Sequence, residues 1–146
     1  MSIATATVRE WMTSPALTVS PAWSIRRAYD FMQELGIRHL PVVENNKLVG
    51  ILTLSDIREA KPSDATSLSV WELNYLWDQL TVERVMTTDV ITTSPDALVV
   101  DAARTLLEHK FSGLPVVDEE GRVVGFLSQV DINRMLVAKA GAMAGA

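Results

Sequence analysis

Apolar positions recur along this chain at two periods, and the switches between them divide it into elements. Across residues 24–35, Ile25, Ala28, Met32 and Leu35 keep a helical spacing, and across 98–108 Val99, Ala102 and Leu106 do the same, so both stretches predict amphipathic helices. Residues 40–44 and 47–53 are β-rich runs joined by Asn45-Asn46, and Asn is among the few residues that tolerate the positive φ of a type I′ hairpin. The corresponding later hairpin turns at "EEG", where Gly121 suits the left-handed position of a three-residue loop. "ALTVS" and "VITTS" read as short strands ending at Pro21 and Pro95. Thr7 with Glu10 fits a capping box opening a short helix whose Met12 points inward. Thr81, with Arg84 in the glutamate's place, is expected to be a simple N-cap. A further helix should start near Ser55 or Asp56, and another near Asp131.

The elements occur twice. "TVREWMT" (Thr7 to Thr13) returns as "TVERVMT" (Thr81 to Thr87) at an offset of 74 residues, which also aligns "LTVSP" with "ITTSP" and both copies of "LPVV". "GILTLSD" and "GFLSQVD" then match at an offset of 75, so the hairpin between them gained one residue. Each copy reads β-α-β-β-α, an α/β (α+β) pattern. A unit this small rarely buries its own apolar face, so the copies are expected to share a core. The division is residues 1–62 for the first repeat, 63–80 for a linker helix and 81–146 for the second repeat, with 139–146 a frayed or disordered tail. The linker has a Pro62-Ser63-Asp64 loop and a second capping box, Ser69 with Glu72. Its Val70, Leu73, Trp77 and Leu80 line one face, widened by Trp71 and Leu76. That face packs either on its own chain or at a subunit interface, where Trp and Tyr are enriched.

Composition narrows the functional classes. A chain of 146 residues with 48% hydrophobic content suits one globular domain. Its net charge of −5 argues against bulk electrostatic binding to nucleic acid or an anionic membrane. No apolar run is long enough to span a bilayer, and "MSIATATVRE" lacks the charged region and apolar core of a secretory signal. With no cysteine there is no disulfide or thiol chemistry, and a cytoplasmic location is expected. Neither a Gly-rich phosphate loop nor Gly-x-Ser-x-Gly is present, and His39 and His109 lack metal-ligand spacing. No enzymatic activity, required cofactor or metal is expected.

The phrases "VREWMTSPALTVSP…IRHLPVVENNKLVGILTLSDI" and "VERVMTTDVITTSP…SGLPVVDEEGRVVGFLSQVDI" resemble two cystathionine-β-synthase-type (CBS) motifs, the tandem pair called a Bateman module. The resemblance runs from about Thr7 to Arg134. It implies two βαββα repeats packed about a pseudo-twofold axis, with two clefts between them. These clefts are expected to take adenosine-containing ligands such as AMP, ADP, ATP, S-adenosylmethionine or cyclic dinucleotides. It also implies a stand-alone ligand-sensing module that regulates an unidentified protein and forms a homodimer.

By the same resemblance, Asp56 and Asp131 hold a ribose, while Thr53 and Ser128 touch phosphate or ribose oxygens beside a helix N-terminus. The base lies against Thr18, Val19, Ile37 and Pro41 in one copy and Thr92, Thr93, Ser112 and Pro115 in the other. Arg38 and His39, leading into "LPVV", are the candidate phosphate-binding cations. The residues by themselves leave plainer roles open: helix caps for the aspartates, core for the base-facing set, and a solvent-facing pair for the cations. The second copy has Ser112 and Gly113 in place of Arg38 and His39, with Lys110, Arg104 or Arg134 as possible replacements, so two inequivalent sites are expected. The competing function is a constitutive dimeric scaffold with empty or degenerate clefts.

Overall fold

The computed structural model describes residues 2–61 and 69–144. In chain order it contains a 3-10 turn (Ile3–Thr5), α1 (Val8–Trp11), α2 (Ile25–Leu35), β1 (His39–Glu44), β2 (Lys47–Thr53) and α3 (Leu54–Ala60), followed by α4 (Val70–Gln79), α5 (Val82–Val85), α6 (Val99–His109), β3 (Gly113–Val117), β4 (Val123–Ser128) and α7 (Gln129–Ala144). β1 pairs antiparallel with β2, and β3 with β4, forming two separate two-stranded sheets. The expected Pro62-Ser63-Asp64 loop lies outside the described residues.

The local chemistry follows the pattern of positions. In α2 the buried residues are Ile25, Ala28 and Met32, Ser24 Oγ accepts from the Arg27 N–H, and Gly36 at φ 66° closes the C-terminus. α6 buries Val99, Ala102 and Leu106 but has no side-chain cap, because Leu98 stands at that position. Its C-cap is Lys110, held at φ 58° where the first copy has Gly36. Asn45 and Asn46, at φ 53° and 65°, make the expected turn. In the second hairpin, Asp118 N–H donates to the Arg122 carbonyl at 2.9 Å around a loop containing Gly121 at φ 82°.

The chain divides into two compact units, Leu17–Val90 and Met1–Ala16 with Ile91–Ala146. Each unit takes its opening phrase from the other repeat. Val8 joins the buried cluster of Ala102, Leu106, Leu114, Val116 and Leu127, and Val82 joins that of Ile25, Met32, Leu40, Leu52 and Ile57. Hydrogen bonds fix both exchanges. The N–H groups of Val8 and Arg9 donate to the carbonyls of Ala97 and Pro95 at 2.9 and 2.8 Å, and those of Val82 and Glu83 to Trp23 and Pro21 at 2.8 and 3.0 Å. These are first-turn donors with no partner inside their own helix. Thr81 occupies the expected N-cap position, but contrary to expectation its side chain makes no cap bond, the Val82 and Glu83 N–H groups already having backbone partners. Glu10 does return to Thr7, accepting from its N–H at 3.0 Å and its hydroxyl at 2.9 Å, which lowers the Glu10 pKa.

Glycine is required where the phrase meets the sheet. A Cβ on Gly125 would stand 2.6 Å from Met12 Sδ and 3.0 Å from the Thr13 carbonyl, and one on Gly50 would stand at the same distances from Met86 Sδ and the Thr87 carbonyl.

Three further expectations change. The "ALTVS" and "VITTS" strands shrink to single parallel bridges, Val19 to Val42 and Thr93 to Val116, since the prolines that follow have no N–H to extend a ladder. Val70 is exposed, so the inward face of α4 begins at Leu73. Trp77 and Leu80 pack on the Leu17–Val90 core, with Trp77 edge-on to Tyr29 at 6.2 Å and Asp78 paired with Arg26. α7 runs as helix to Ala144, into the stretch read as a tail.

Candidate functional site

Each compact unit assembles one set of the candidate residues at the junction of a hairpin and the helix that follows it. In the Leu17–Val90 unit, Thr53 caps α3: its Oγ1 accepts from the Asp56 N–H at 3.1 Å, and its own N–H donates to Asp56 Oδ2 at 3.1 Å. His39 lies opposite Thr53 in the sheet register. The Leu54 N–H donates to the Arg38 carbonyl at 2.9 Å, so the backbone of the cationic pair adjoins the start of α3. Val19 is fastened to β1 through Pro41 and Val43, at 3.0 and 2.9 Å. Val19 and Pro41 are buried, Ile37 is half-buried, and Thr18 and Arg38 are exposed. Burial of the His39 ring lowers its pKa, because desolvation disfavours the imidazolium.

The other unit repeats the arrangement with different chemistry. Ser128 N–H and Oγ donate to Asp131 Oδ2 at 2.9 and 3.1 Å, and Ser128 Oγ accepts from the Asp131 N–H at 3.3 Å. Gln129 N–H donates to the Ser112 carbonyl at 2.9 Å, and Thr93 N–H to the Pro115 carbonyl at 3.0 Å. Thr92 is half-buried beside Thr93. Gly113 faces Ser128 where His39 faces Thr53, and a Cβ there would run into the Phe126 ring. A histidine therefore has no space in this copy.

Both aspartates thus act as caps, the plainer of the roles considered, and both bind one group that the sequence reading missed. Thr13 Oγ1 donates to Asp131 Oδ1 at 3.1 Å, and Thr87 Oγ1 lies 3.4 Å from both oxygens of Asp56. These threonines end the two copies of the repeated phrase. Their recurrence was the available signal, but nothing local indicated that each would serve the other repeat's aspartate. Asp131 is 2% exposed, whereas Asp56 is only half-buried.

Of the replacement cations, Arg134 reaches the site, its Nη1 3.3 Å from Asp131 Oδ1. Arg104 pairs with Asp101 at 2.9 Å on α6, and Lys110 ends that helix. Among the described residues no cluster of three or more His, Cys, Asp or Glu is placed to hold a metal ion, and no helix is long and apolar enough to cross a membrane.

Comparison with known proteins accounts for the duplicated geometry. The CBS domain family model matches twice, over residues 8–63 and 82–138. The chain is 36% identical over 134 residues to protein MJ0188 of Methanocaldococcus jannaschii, covering 90% of this chain and 44% of that one. It is 38% identical over 130 residues to a homoserine O-acetyltransferase of Methanococcoides burtonii, covering 88% of this chain and 24% of the enzyme. The chain thus spans less than half the length of these curated relatives. Among solved structures, the CBS domain pair of protein MJ0100, in complex with 5′-methylthioadenosine and S-adenosylmethionine, superimposes with TM-score 0.74 at 32% identity, over 92% of this chain and 98% of that one. CBSX2 of Arabidopsis thaliana in complex with AMP gives 0.75 at 30% identity, over 91% and 97%. The two family matches, the doubled hairpin-helix junctions and these structural likenesses agree: the chain belongs to the CBS domain family, as a tandem pair of the Bateman type.

Proposed function

We propose that this CBS pair is a regulatory module that senses an adenosine-containing ligand, and that it is not itself catalytic. The observation that carries this is the Asp56 junction. A half-buried carboxylate at a helix start, with Thr53 beside it and Arg38 and His39 at the neighbouring strand, combines an acceptor for ribose hydroxyls with a guanidinium cation for phosphate and an imidazole whose burial favours the neutral form. Solved pairs at 30% identity or more hold AMP, 5′-methylthioadenosine or S-adenosylmethionine, which supports the same ligand class here. In this reading Asp56 and Asp131 receive ribose, and Thr53, Ser128, Arg38 and His39 lie near phosphate or ribose oxygens. Thr18, Val19, Ile37 and Pro41 line one base position, and Thr92, Thr93, Ser112 and Pro115 the other. The sites are inequivalent, because a glycine and a buried aspartate in one unit replace a histidine and a half-buried aspartate in the other.

A ligand shifts a conformational equilibrium only by its differential affinity for the two states, so the response needs a surface that reports it. α4 supplies one. Trp71 is 84% exposed, Tyr75 follows one turn later, and a groove of about 550 Å³ lined by Ala60, Leu76, Trp77, Leu80, Thr81 and Arg84 lies alongside. A second copy of the chain or a regulated protein would dock there, and the proposed setting is the cytoplasm.

The test is a thermal-shift series with AMP, ADP, ATP, S-adenosylmethionine and cyclic di-AMP on wild type, Asp56→Ala and Asp131→Ala. Ligand at about 100 times Kd adds about 2.7 kcal/mol, or roughly 5–10 °C for a chain of this size. A shift lost in an aspartate variant supports the sensor. Folded protein that responds to none of the five assigns the module to the scaffold class.

A further inference from the structure

The two aspartates differ in how completely their own chain occupies them. A carboxylate offers about four acceptor positions. On Asp131, Ser128 N–H and Oγ take two on Oδ2, while Thr13 Oγ1 and Arg134 Nη1 take two on Oδ1. Ser128 holds the first turn of α7 and Thr13 anchors the opening phrase, so neither leaves without undoing local structure. Arg134 is different: its side chain is 61% exposed, and it can exchange the ion pair for water at little cost. On Asp56, the described partners are the Thr53 N–H and the long, shared contact from Thr87. Glu59 stands where the second copy has Arg134, so the equivalent ion pair does not form, and among the described residues these contacts leave two acceptor positions for a ribose diol.

We propose that Arg134 is the specificity-determining residue of the second copy, a latch on Asp131 that makes the chain load ribose at Asp56 first and at Asp131, there through a single ribose hydroxyl, only when the arginine swings away. The inference rests on the ligand-sensing reading above and adds an order of filling and the residue that sets it. A 5′-phosphate is not needed for the effect, which separates the latch from a role for Arg134 as a phosphate donor.

The experiment is calorimetric titration of the full chain with 5′-methylthioadenosine, which lacks phosphate, and in parallel with AMP. Wild type, Asp56→Ala and Asp56→Ala/Arg134→Ala are compared, so that the last two report the Asp131 site alone. Removing the latch is expected to tighten 5′-methylthioadenosine binding at that site about fivefold, the upper worth of a partly exposed ion pair, with AMP gaining similarly. No gain for 5′-methylthioadenosine overturns the latch. Loss of AMP affinity with 5′-methylthioadenosine unchanged also overturns it and makes Arg134 a phosphate ligand. Should the alanine variant not melt cooperatively, Arg134→Met keeps the aliphatic stem and removes the charge. Wild type that binds neither nucleoside defeats the ligand-sensing reading, and the latch with it, whereas wild-type binding indifferent to Arg134 defeats the latch alone.

Discussion

The Thr13 hydroxyl donates to the carboxylate of Asp131, 118 residues further along the chain, at 3.1 Å. The acceptor is buried and charged, so loss of the donor leaves it short of a partner. Thr13→Val, nearly isosteric, is expected to destabilise the protein by about 1.5–3 kcal/mol, the range for hydrogen bonds to charged groups. Thr87→Val should cost less, below about 1 kcal/mol, because that hydroxyl is exposed and its contact is 3.4 Å long. Urea unfolding of the two variants checks the order; an equal loss would show that the longer contact matters as much as the shorter.

The phrase-to-sheet contact predicts the effect of filling the glycines. Gly125→Ala and Gly50→Ala each bring a methyl to 2.6 Å from a methionine sulfur and 3.0 Å from a backbone carbonyl. The methionine can turn aside, but the carbonyl belongs to a two-bond bridge, Thr13 to Phe126 or Ile51 to Thr87, and cannot move without breaking it. Each substitution should cost about 1–3 kcal/mol, the usual range for overpacking. Thermal melts showing no change would mean that the phrase sits more loosely than described.

The helix ends of α2 and α6 give a paired prediction of opposite sign. Lys110 adopts φ 58° where Gly36 adopts φ 66°, and left-handed backbone costs a non-glycine residue roughly 1 kcal/mol. Lys110→Gly should therefore raise stability by up to about 1 kcal/mol. Gly36→Ala should lower it comparably, although nothing lies within 4 Å of the added methyl. The midpoints of chemical unfolding should move in opposite directions.

His39 sets a pH dependence. Burial lowers its folded pKa beneath the ordinary 6.5. Between those two values the unfolded chain holds more protons than the folded one, so stability falls as pH drops through that window and the loss levels off below the folded value. Wild type melted from pH 8 to pH 5 should lose more stability than His39→Gln over the same range. Parallel curves would remove His39 as the source.

Much of the fold could be read from the chain because its signals are local. Ser24 before an amphipathic stretch, Asn45-Asn46 between β-rich runs and Gly121 in the longer turn each specify an element within a few residues. The first strand of each repeat was over-read, because local preference cannot count partners and Val19 and Thr93 each find a single bridge. The site divides in the same way. The hydroxyl-x-x-Asp spacing marks Thr53 with Asp56 and Ser128 with Asp131, and the structure shows the cap geometry that this spacing produces. The contributions of Thr13 and Thr87 were hidden because they come from the opposite repeat. Difference in burial between the aspartates is likewise a tertiary property, which the short segments Gly50 to Asp56 and Gly125 to Asp131 do not set locally.

The exchanged phrases bear on how such a chain could have arisen. A single ancestral copy would have carried an opening segment whose donors and valine fit a second molecule's strands, so its compact form would have been an intertwined dimer held together by reciprocal exchange. Joining the copies through residues 63–80 turns that bimolecular association into an intramolecular one. The local concentration of each segment is then set by the tether rather than by expression level. Dilution, which would separate the ancestral pair, has no hold on the fused one, and the two segments become free to diverge, as Trp11 and Val85, at matching positions of the two phrases, already have.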